Sequence, residues 1–289
     1  MKGFKLKYYK IILFLLPGFL IYVSFMWFPT IRAFQLSLYN WHGLQSHIFV
    51  GLANYYSLMH DKLFLSSLMI TLKYMLLNVP LQVITGYILA YLLYLGLKGY
   101  KVFRFIFFIP VVLLTVAVGI VFNYFFSNWF GAFKPIFDLF DLVYQNPFSV
   151  SKYALYAVIL TDGWKWMGIK IMLFYAGFQG IPEDILEAAT IDGANGFQTF
   201  FKIVIPLSRE ILTMVIILMV IGSLKVFNLL YVLTQGGPNH ATEVLTLFLY
   251  KTAFSQLDFG TGCAIAVVLF IITITLTILL RKTFQREVF

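Results

Sequence analysis

Long apolar runs separated by shorter polar segments make up most of this chain. A helix that crosses a lipid bilayer needs about 20 mostly apolar residues. Six runs approach that length, namely Ile11–Phe28, Leu68–Leu95, Phe103–Phe126, Tyr153–Phe178, Ile211–Leu233 and Cys263–Leu280. Five are strongly apolar, whereas the fourth carries Asp162, Lys165 and Lys170. The pattern predicts an all-α membrane protein with six transmembrane helices.

The Lys and Arg residues orient these predicted spans, because loops on the cytoplasmic side of a membrane carry an excess of them. With the N-terminus inside, five fall in outer segments and twelve fall in inner segments, at 2–10, 98–104, 202–209 and 281–286. The imbalance favours an N-in/C-in topology. The net charge of +9 does not indicate nucleic acid, because the basic residues follow the ends of apolar runs rather than one polar face.

The composition agrees with a surface that faces lipid. The chain of 289 residues is 61% hydrophobic and 11% charged, with a mean hydropathy of +0.88, whereas a soluble domain has about 25% charged residues. A single cysteine, Cys263, excludes an internal disulfide. The basic N-terminal segment precedes an apolar run without a small-x-small cleavage site, which predicts a retained anchor helix.

The four histidines all fall in predicted outer loops. No i, i+4 pair or carboxylate partner accompanies them, so the sequence does not favour a metal site. They are His42, His47, His60 and His240.

One predicted inner loop, Gly180–Glu210, is too long to be a simple connector. Pro182 followed by two acidic residues is typical of a helix start, which predicts a short helix over 183–191. The segment 192–196, Asp-Gly-Ala-Asn-Gly, predicts a sharp break. Residues 197–205 predict a second short helix, closed by Pro206. The loop is therefore expected to form helix, turn and helix.

Two interpretations of this loop remain open on physical grounds. Small residues at 188, 189, 193, 194 and 196 let another backbone approach, and the apolar side chains of 197–204 could enter a groove on a partner protein. Alternatively, the two helices lie on the lipid surface.

The same loop resembles the EAA signature of permeases in binding-protein-dependent ABC importers. The matching residues are Glu187, Ala188, Ala189, Asp192, Gly193, Ile203 and Pro206. The signature ends in Ile-x-Leu-Pro, and Ile205 replaces its Leu here. Residues 191–194 and 231–238 are similar to the carbohydrate branch of that family, specifically its MalF- or UgpA-type subunit.

The resemblance implies a type I ABC importer permease fold in a bacterial or archaeal inner membrane. It implies three kinds of partner besides membrane lipid: a second permease subunit of MalG type, two ATP-binding subunits and an extracytoplasmic sugar-binding protein. The EAA loop would dock on the ATPase. The implied organisation is an N-terminal part over 1–66, a permease core over 67–281 with the coupling loop at 181–207, and a cytoplasmic tail over 282–289.

No cofactor is expected on this chain. It lacks a G-x-x-x-x-G-K-[ST] loop, so ATP and Mg are expected on the partner ATPase, and the chain is expected to be a non-catalytic transport subunit.

Polar residues inside predicted spans are costly and are therefore candidates for a substrate path. Those singled out are Asn78, Gln82, Asn123, Asp162, Lys165, Lys170 and Asn228. Mutual neutralisation of Asp162 and Lys165, three residues apart, is an alternative. Lys225 is a further candidate, and snorkelling is the alternative for it and for Lys73.

Three other functions compete with a sugar importer subunit. A membrane-embedded transferase needs paired carboxylates or histidines near one membrane face, and a channel needs a repeated filter or polar ring; neither pattern is evident. A permease for a non-sugar solute such as a polyol phosphate also stays open.

Overall fold

The computed structural model describes residues 2–43, 47–96, 99–141 and 143–284. Helices dominate, as the apolar pattern predicts. The first, α1 (Lys2–Tyr22), continues through a π-helical turn at Val23–Trp27 into α2 (Phe28–Leu36). A short antiparallel sheet of β1 (Tyr39–Asn40) and β2 (Ile48–Phe49) follows, with Tyr39 paired to Phe49. Next come α3 (Ala53–His60) and the long α4 (Lys62–Tyr94).

The middle of the chain contains several helices of unequal length. These are α5 (Tyr100–Val112), α6 (Thr115–Phe125), α7 (Lys134–Asp138), α8 (Ser151–Phe178), α9 (Glu183–Ile191) and α10 (Gly196–Thr199). A π-helical turn at Phe200–Val204 joins α10 to α11 (Ile205–Leu207). The remaining helices are α12 (Arg209–Leu224), α13 (Asn228–Leu233), α14 (Leu245–Tyr250) and α15 (Phe259–Phe284), with a π-helical turn at Lys251–Ser255 after α14.

Three stretches in the described chain are helical, long and apolar enough to cross a membrane: Tyr9–Leu36, Lys62–Tyr94 and Phe259–Thr283. Two bent pairs raise the number to five if each pair is one span. The fourth predicted span is a single helix, α8, but its charged residues make it less apolar than those three. Several helices therefore suit a membrane, as the apolar runs indicate.

Two predicted spans are wrong as single helices. The run 103–126 is broken between α5 and α6, whose axes differ by 102°, because Leu113 and Leu114 adopt extended backbone angles after Pro110. The run 211–233 is broken after Leu224, where residues 225–227 separate α12 from α13. Apolar side chains continue through both breaks, so hydropathy alone does not reveal them.

The chain forms two compact units. One contains the residues up to Lys62 together with Leu249–Phe270. In this unit Asn54 donates its side-chain amide to the carbonyls of Ser37 (2.8 Å) and Tyr39 (2.9 Å), which fixes the start of the sheet. The apolar window of its first helix contains no buried residue, as expected for a surface that faces lipid or another membrane subunit.

The second unit contains Leu63–Phe248 and the residues from Ile271 onward. Its core is formed where α6, α8 and α13 pack together, and their closely packed residues include Val118, Val158 and Leu230. The helix α5, which precedes α8 in the sequence, packs on α8, and so does α12, which follows it. The central helix α8 therefore contacts most elements that surround the candidate sites.

Candidate functional site

The loop at 181–207 is folded into a helix, a turn and a second helical segment, as predicted. The first helix, α9, has the predicted bounds and carries Glu183 and Asp184 in its first turn. It ends in a Schellman motif, in which the Gly193 N–H donates to Thr190 (3.1 Å) and the Ala194 N–H donates to Ala189 (2.9 Å). Gly193 has φ of +78°, a conformation that glycine adopts without steric cost.

The second helical segment begins with a capping box. The Asn195 side chain accepts from the Gln198 N–H (2.9 Å), and the Gln198 side chain accepts from the Asn195 N–H (3.0 Å). The segment then runs through the π-helical turn and ends at Leu207, two residues beyond the predicted end at Ile205. Pro206 lies near the end of this segment, where it cannot donate a helical hydrogen bond, and the helix ends one residue later.

Most of this loop is exposed. Ile191 and Phe197 are 85% and 73% exposed, which is unusual for large apolar side chains outside a binding or lipid-facing surface. Glu187 and Ala188 are also exposed, whereas Ala189 is buried. Within the described residues, the Glu187 carboxylate has no hydrogen bond or ion pair in this chain, and it is therefore free for a partner.

A cluster of aromatic rings anchors the loop to α4 and α8. The Tyr87 ring lies edge-on to Phe174 and Phe178, both at 5.0 Å between centroids, and to Phe200 at 5.6 Å. The Tyr87 and Ser208 hydroxyls share a hydrogen bond of 2.5 Å. Val204, between Phe200 and Ser208, is completely buried. These buried aromatic contacts and the Tyr87–Ser208 hydrogen bond therefore fix the exposed loop to the core of the second unit.

A cavity of about 290 Å³ lies in the second unit. Helices α4, α6, α8, α12 and α13 contribute to its wall. The polar and charged side chains that line it are Tyr74, Asn78, Thr115, Asp162, Lys170, Ser223, Lys225 and Asn228, together with the indole of Trp166. Its size is at the lower end of the range that small-molecule sites occupy, about 300–1,000 Å³.

Asp162 is held by amide donors on one side of the cavity. Its Oδ2 accepts from the Asn78 side chain (3.1 Å) and from the Gln82 side chain (3.0 Å). Gln82 also donates to Asn78 Oδ1 at 2.7 Å, and Asn78 reaches Ser223 Oγ at 3.4 Å. All four side chains are buried. This network joins α4, α8 and α12 at a single point.

Lys165 is not paired with Asp162. Its Nζ donates to the Leu113 carbonyl at 2.7 Å, and among the described residues the two side chains form no salt bridge within 4.0 Å. Leu113 is the residue at which α5 ends, so the ammonium interacts with the negative end of the helix dipole. The alternative of neutralisation by an i, i+3 pair is wrong because the broken helix offers Lys165 a free carbonyl.

The cavity brings together four of the seven candidate path residues: Asn78, Asp162, Lys170 and Asn228. Gln82 supports the network from behind, Lys165 binds the break after α5, and Asn123 donates to the Gly119 carbonyl of its own helix at 3.1 Å. Sequence reasoning missed Tyr74, Trp166 and Ser223. Lys225, for which the sequence left a substrate path and snorkelling both open, lines the cavity and is exposed.

Two histidines have carboxylate partners, contrary to the sequence prediction. His240 Nδ1 lies 2.6 Å from Glu243 Oε2, and His42 Nε2 lies 3.4 Å from Asp258 Oδ2. The first pair forms inside a tight turn, and the second joins residues that are distant in sequence, so helical spacing does not predict either. Among the described residues, no group of three His, Cys, Asp or Glu side chains could hold a metal. In the outer segment before α8, burial raises the pKa of the Tyr144 phenol, which donates to the Phe126 carbonyl at 3.1 Å.

Comparisons with known proteins agree on one family. The model of the family described as "Binding-protein-dependent transport system inner membrane component" matches residues 82–288. The probable ABC transporter permease protein YurN of Bacillus subtilis (strain 168) is 34% identical over 94% of this chain and 95% of its own length. The trehalose/maltose transport system permease protein MalF of Thermococcus litoralis is 32% identical over 98% of each chain.

A solved structure has the same fold. It is the crystal structure of a bacterial alginate ABC transporter in complex with an alginate pentasaccharide-bound periplasmic protein, which matches with a TM-score of 0.85 over 99% of this chain and 96% of that chain. The sequence identity is 16%, so this likeness concerns the fold.

Proposed function

This chain belongs to the family of binding-protein-dependent transport system inner membrane components, and from that premise we propose that it is the permease subunit of an ATP-driven sugar importer. Relatives named as trehalose/maltose and multiple-sugar permeases align over almost its full length. The chain is a multi-pass protein of the cell membrane. A di- or oligosaccharide is the cargo that these relatives favour.

The observation that carries the proposal is the geometry of the loop at 181–207. An exposed helix–turn–helix, with an unpartnered Glu187 and exposed apolar side chains, rests on a rigid aromatic base. Such a surface suits a groove on a partner protein, since apolar anchors provide affinity and a fixed backbone limits the entropy lost on binding. We infer that it docks on the ATPase and that Glu187, Ala188, Ala189, Asp192, Gly193, Ile203 and Pro206 form the docking element.

ATP hydrolysis belongs, in this proposal, to separate ATP-binding subunits with their Mg. The sequence contains no phosphate-binding loop of the Walker type, and the permease would act by changing shape. ATP-driven closure of the two ATPases would move the docked loops. The membrane helices would then alternate between inward-open and outward-open states.

We further propose the assembly and topology that the family implies. The chain would contain six spans with both ends inside, comprising an N-terminal part over 1–66, a permease core over 67–281 and a tail over 282–289. It would pair with a second, MalG-type permease and receive sugar from an extracytoplasmic binding protein. The α5–α6 pair, α8, and α12 together with α13 would then each count as a span.

The cavity is the proposed transport site. Asn78, Asp162, Lys170 and Asn228 line it, and hydroxyl, amide and aromatic groups around it suit a saccharide, which is recognised through hydrogen bonds and apolar ring faces. Gln82 and Lys165 would support this site from neighbouring positions, and Asn123 would lie farther along the path.

Removing the Glu187 carboxylate tests the docking role. In the complete transporter, we expect Glu187→Ala to abolish ATP-driven uptake and to reduce the amount of ATPase that co-purifies, because an interface charge pair is lost. Membrane insertion and the melting temperature of the chain should stay unchanged, since Glu187 has no partner among the residues that the structure describes.

The matched control is Glu210→Ala, which removes an exposed carboxylate just outside the loop. It should leave both uptake and ATPase recovery at the wild-type level. Full uptake in Glu187→Ala would rule out the proposed role of this residue.

A further inference from the structure

The cavity carries more positive than negative charge. Lys170 and Lys225 both line it, whereas Asp162 is the only carboxylate among its lining residues. A charged side chain in the middle of a membrane is costly and therefore needs a partner or a function. Two lysines and one carboxylate give the described lining of the cavity a net positive charge, with the Lys170 side chain half-buried and the Lys225 side chain exposed.

Asp162 is already engaged by other groups. Its Oδ2 accepts from both the Asn78 and the Gln82 amides. Within the described residues it forms no salt bridge with Lys170 or Lys225 at 4.0 Å or less. The carboxylate therefore serves as the centre of the α4–α8–α12 network, and neither lysine is its direct hydrogen-bond partner.

The two lysines point to the cavity from separate elements. Lys170 belongs to α8, and its ammonium lies 5.8 Å from the Trp166 ring centroid. Its stem is confined from behind, since a Cβ on Gly86 of α4 would stand 3.0 Å from the Lys170 Cβ. Lys225 is the residue that ends α12. Neither ammonium has a hydrogen bond in the described part of this chain.

Tyr74 is a third polar residue in the cavity lining. Its side chain is completely buried, and its hydroxyl lies beside the Asp162 carboxylate without forming a hydrogen bond within the described residues. A buried hydroxyl without a hydrogen bond is costly. Lys170, which is half-buried, Lys225, which is exposed, and Tyr74 therefore offer donor groups to one space of about 290 Å³.

We propose that the carried saccharide is acidic, with an anionic group that pairs with Lys170 and Lys225 in this cavity. The inference rests on the proposed import function and specifies its substrate class. Lysine is a compact cation with three donors and no acceptor, so it suits a carboxylate or phosphate better than a neutral hydroxyl. The Tyr74 hydroxyl would donate to the same ligand.

Binding to the complete transporter tests the inference directly, without selection by the binding protein. The purified assembly of both permeases and both ATPases is placed in lipid nanodiscs. Equilibrium dialysis then measures three labelled probes: a uronate disaccharide, the neutral disaccharide with the same linkage, and a disaccharide phosphate. We expect at least one anionic probe to bind about tenfold or more tightly than the neutral one, because a hydrogen bond to a charged group contributes about that factor.

Substitutions of single lysines show which residues bind the anionic group of the probe. Lys170→Gln and Lys225→Gln should each weaken the preferred anionic probe about tenfold and leave the neutral probe unchanged. Lys73→Gln is the matched control, because Lys73 lies on α4 with its ammonium over the Tyr156 ring at 5.2 Å and does not line the cavity. It should leave all three affinities unchanged.

Three outcomes would overturn the inference. Tighter binding of the neutral probe, unaffected by either lysine variant, would leave the importer intact and refute an acidic substrate. Loss of the second permease from either variant assembly would mean that the lysines pair with a carboxylate of that subunit instead. Failure of all three probes to bind, together with no ATP-driven uptake of any saccharide, would refute the proposed function as well.

Discussion

At the scale of single residues, the buried charges Lys165 and Asp162 of the second unit are satisfied in different ways. Lys165 binds a carbonyl that a broken helix leaves free, and Asp162 binds two amides instead of a lysine. Buried polar groups persist only when hydrogen bonds compensate the loss of water. The membrane-embedded charges of α8 therefore have separate tasks, and only Lys170 is left facing the cavity without a hydrogen bond in the described chain.

The Asp162 network is testable through the stability of the chain. Asp162→Ala would leave the Asn78 and Gln82 amides without their acceptor, and we expect it to lower the free energy of unfolding by about 1–3 kcal/mol. Asp162→Asn keeps a carbonyl oxygen that can accept from either amide, so its loss should be smaller. Thermal unfolding of the solubilised protein measures both. Equal melting temperatures for the two variants would contradict a role for the acceptor oxygen.

The sequence was enough to select the polar residues of the spans as candidates, but it did not show which of them line the cavity. A polar residue inside an apolar run is costly in a membrane and is therefore a candidate for a functional role, and Asn78, Asp162 and Lys170 could be selected on this ground. Whether such a residue faces a cavity depends on helices that are far away in sequence. Asn123 binds its own helix, and Lys225 faces the cavity because α12 ends there.

At the scale of elements, local signals gave the bounds of α9 correctly. Proline and two acidic residues mark its start, and a glycine at positive φ marks its end, so all the information lies within a dozen residues. The break between α5 and α6 could not be predicted in this way. Pro110 is present in the sequence, but the carbonyl of Leu113 finds its donor, Lys165, 52 positions later.

The turn of the docking loop gives a second test. Gly193→Ala places a side chain at φ of +78°, which strains the turn by about 1 kcal/mol and shifts α9 relative to the following segment. We expect a large loss of ATP-driven uptake. The measurement is initial uptake by the complete transporter, normalised to the amount of protein in the membrane.

Gly196→Ala is the control for the bulk of an added methyl group. Gly196 lies in the same loop without a positive φ, and a Cβ there would meet nothing within 4 Å. Its uptake should remain close to wild type. An equal loss in both variants would show that the surface, rather than the backbone conformation of Gly193, determines coupling.

At the scale of the whole molecule, one unit connects the cavity to the docking loop through a continuous set of contacts. The helices α4 and α8 hold Asp162 and its amides at one level and the rings of Tyr87, Phe174 and Phe178 at another. Phe200 and Ser208 of the loop segment contact Tyr87. Movement of a docked loop would therefore be transmitted to the helices that line the cavity, as alternating access requires.

The most direct test of the central claim is uptake by the complete transporter in proteoliposomes, with the sugar-binding protein outside and ATP inside. The account predicts accumulation of a labelled oligosaccharide that requires ATP, both ATPase subunits and this chain, whereas the chain alone hydrolyses no ATP. Accumulation that continues without the ATPase subunits, or ATP hydrolysis by this chain alone, would contradict it.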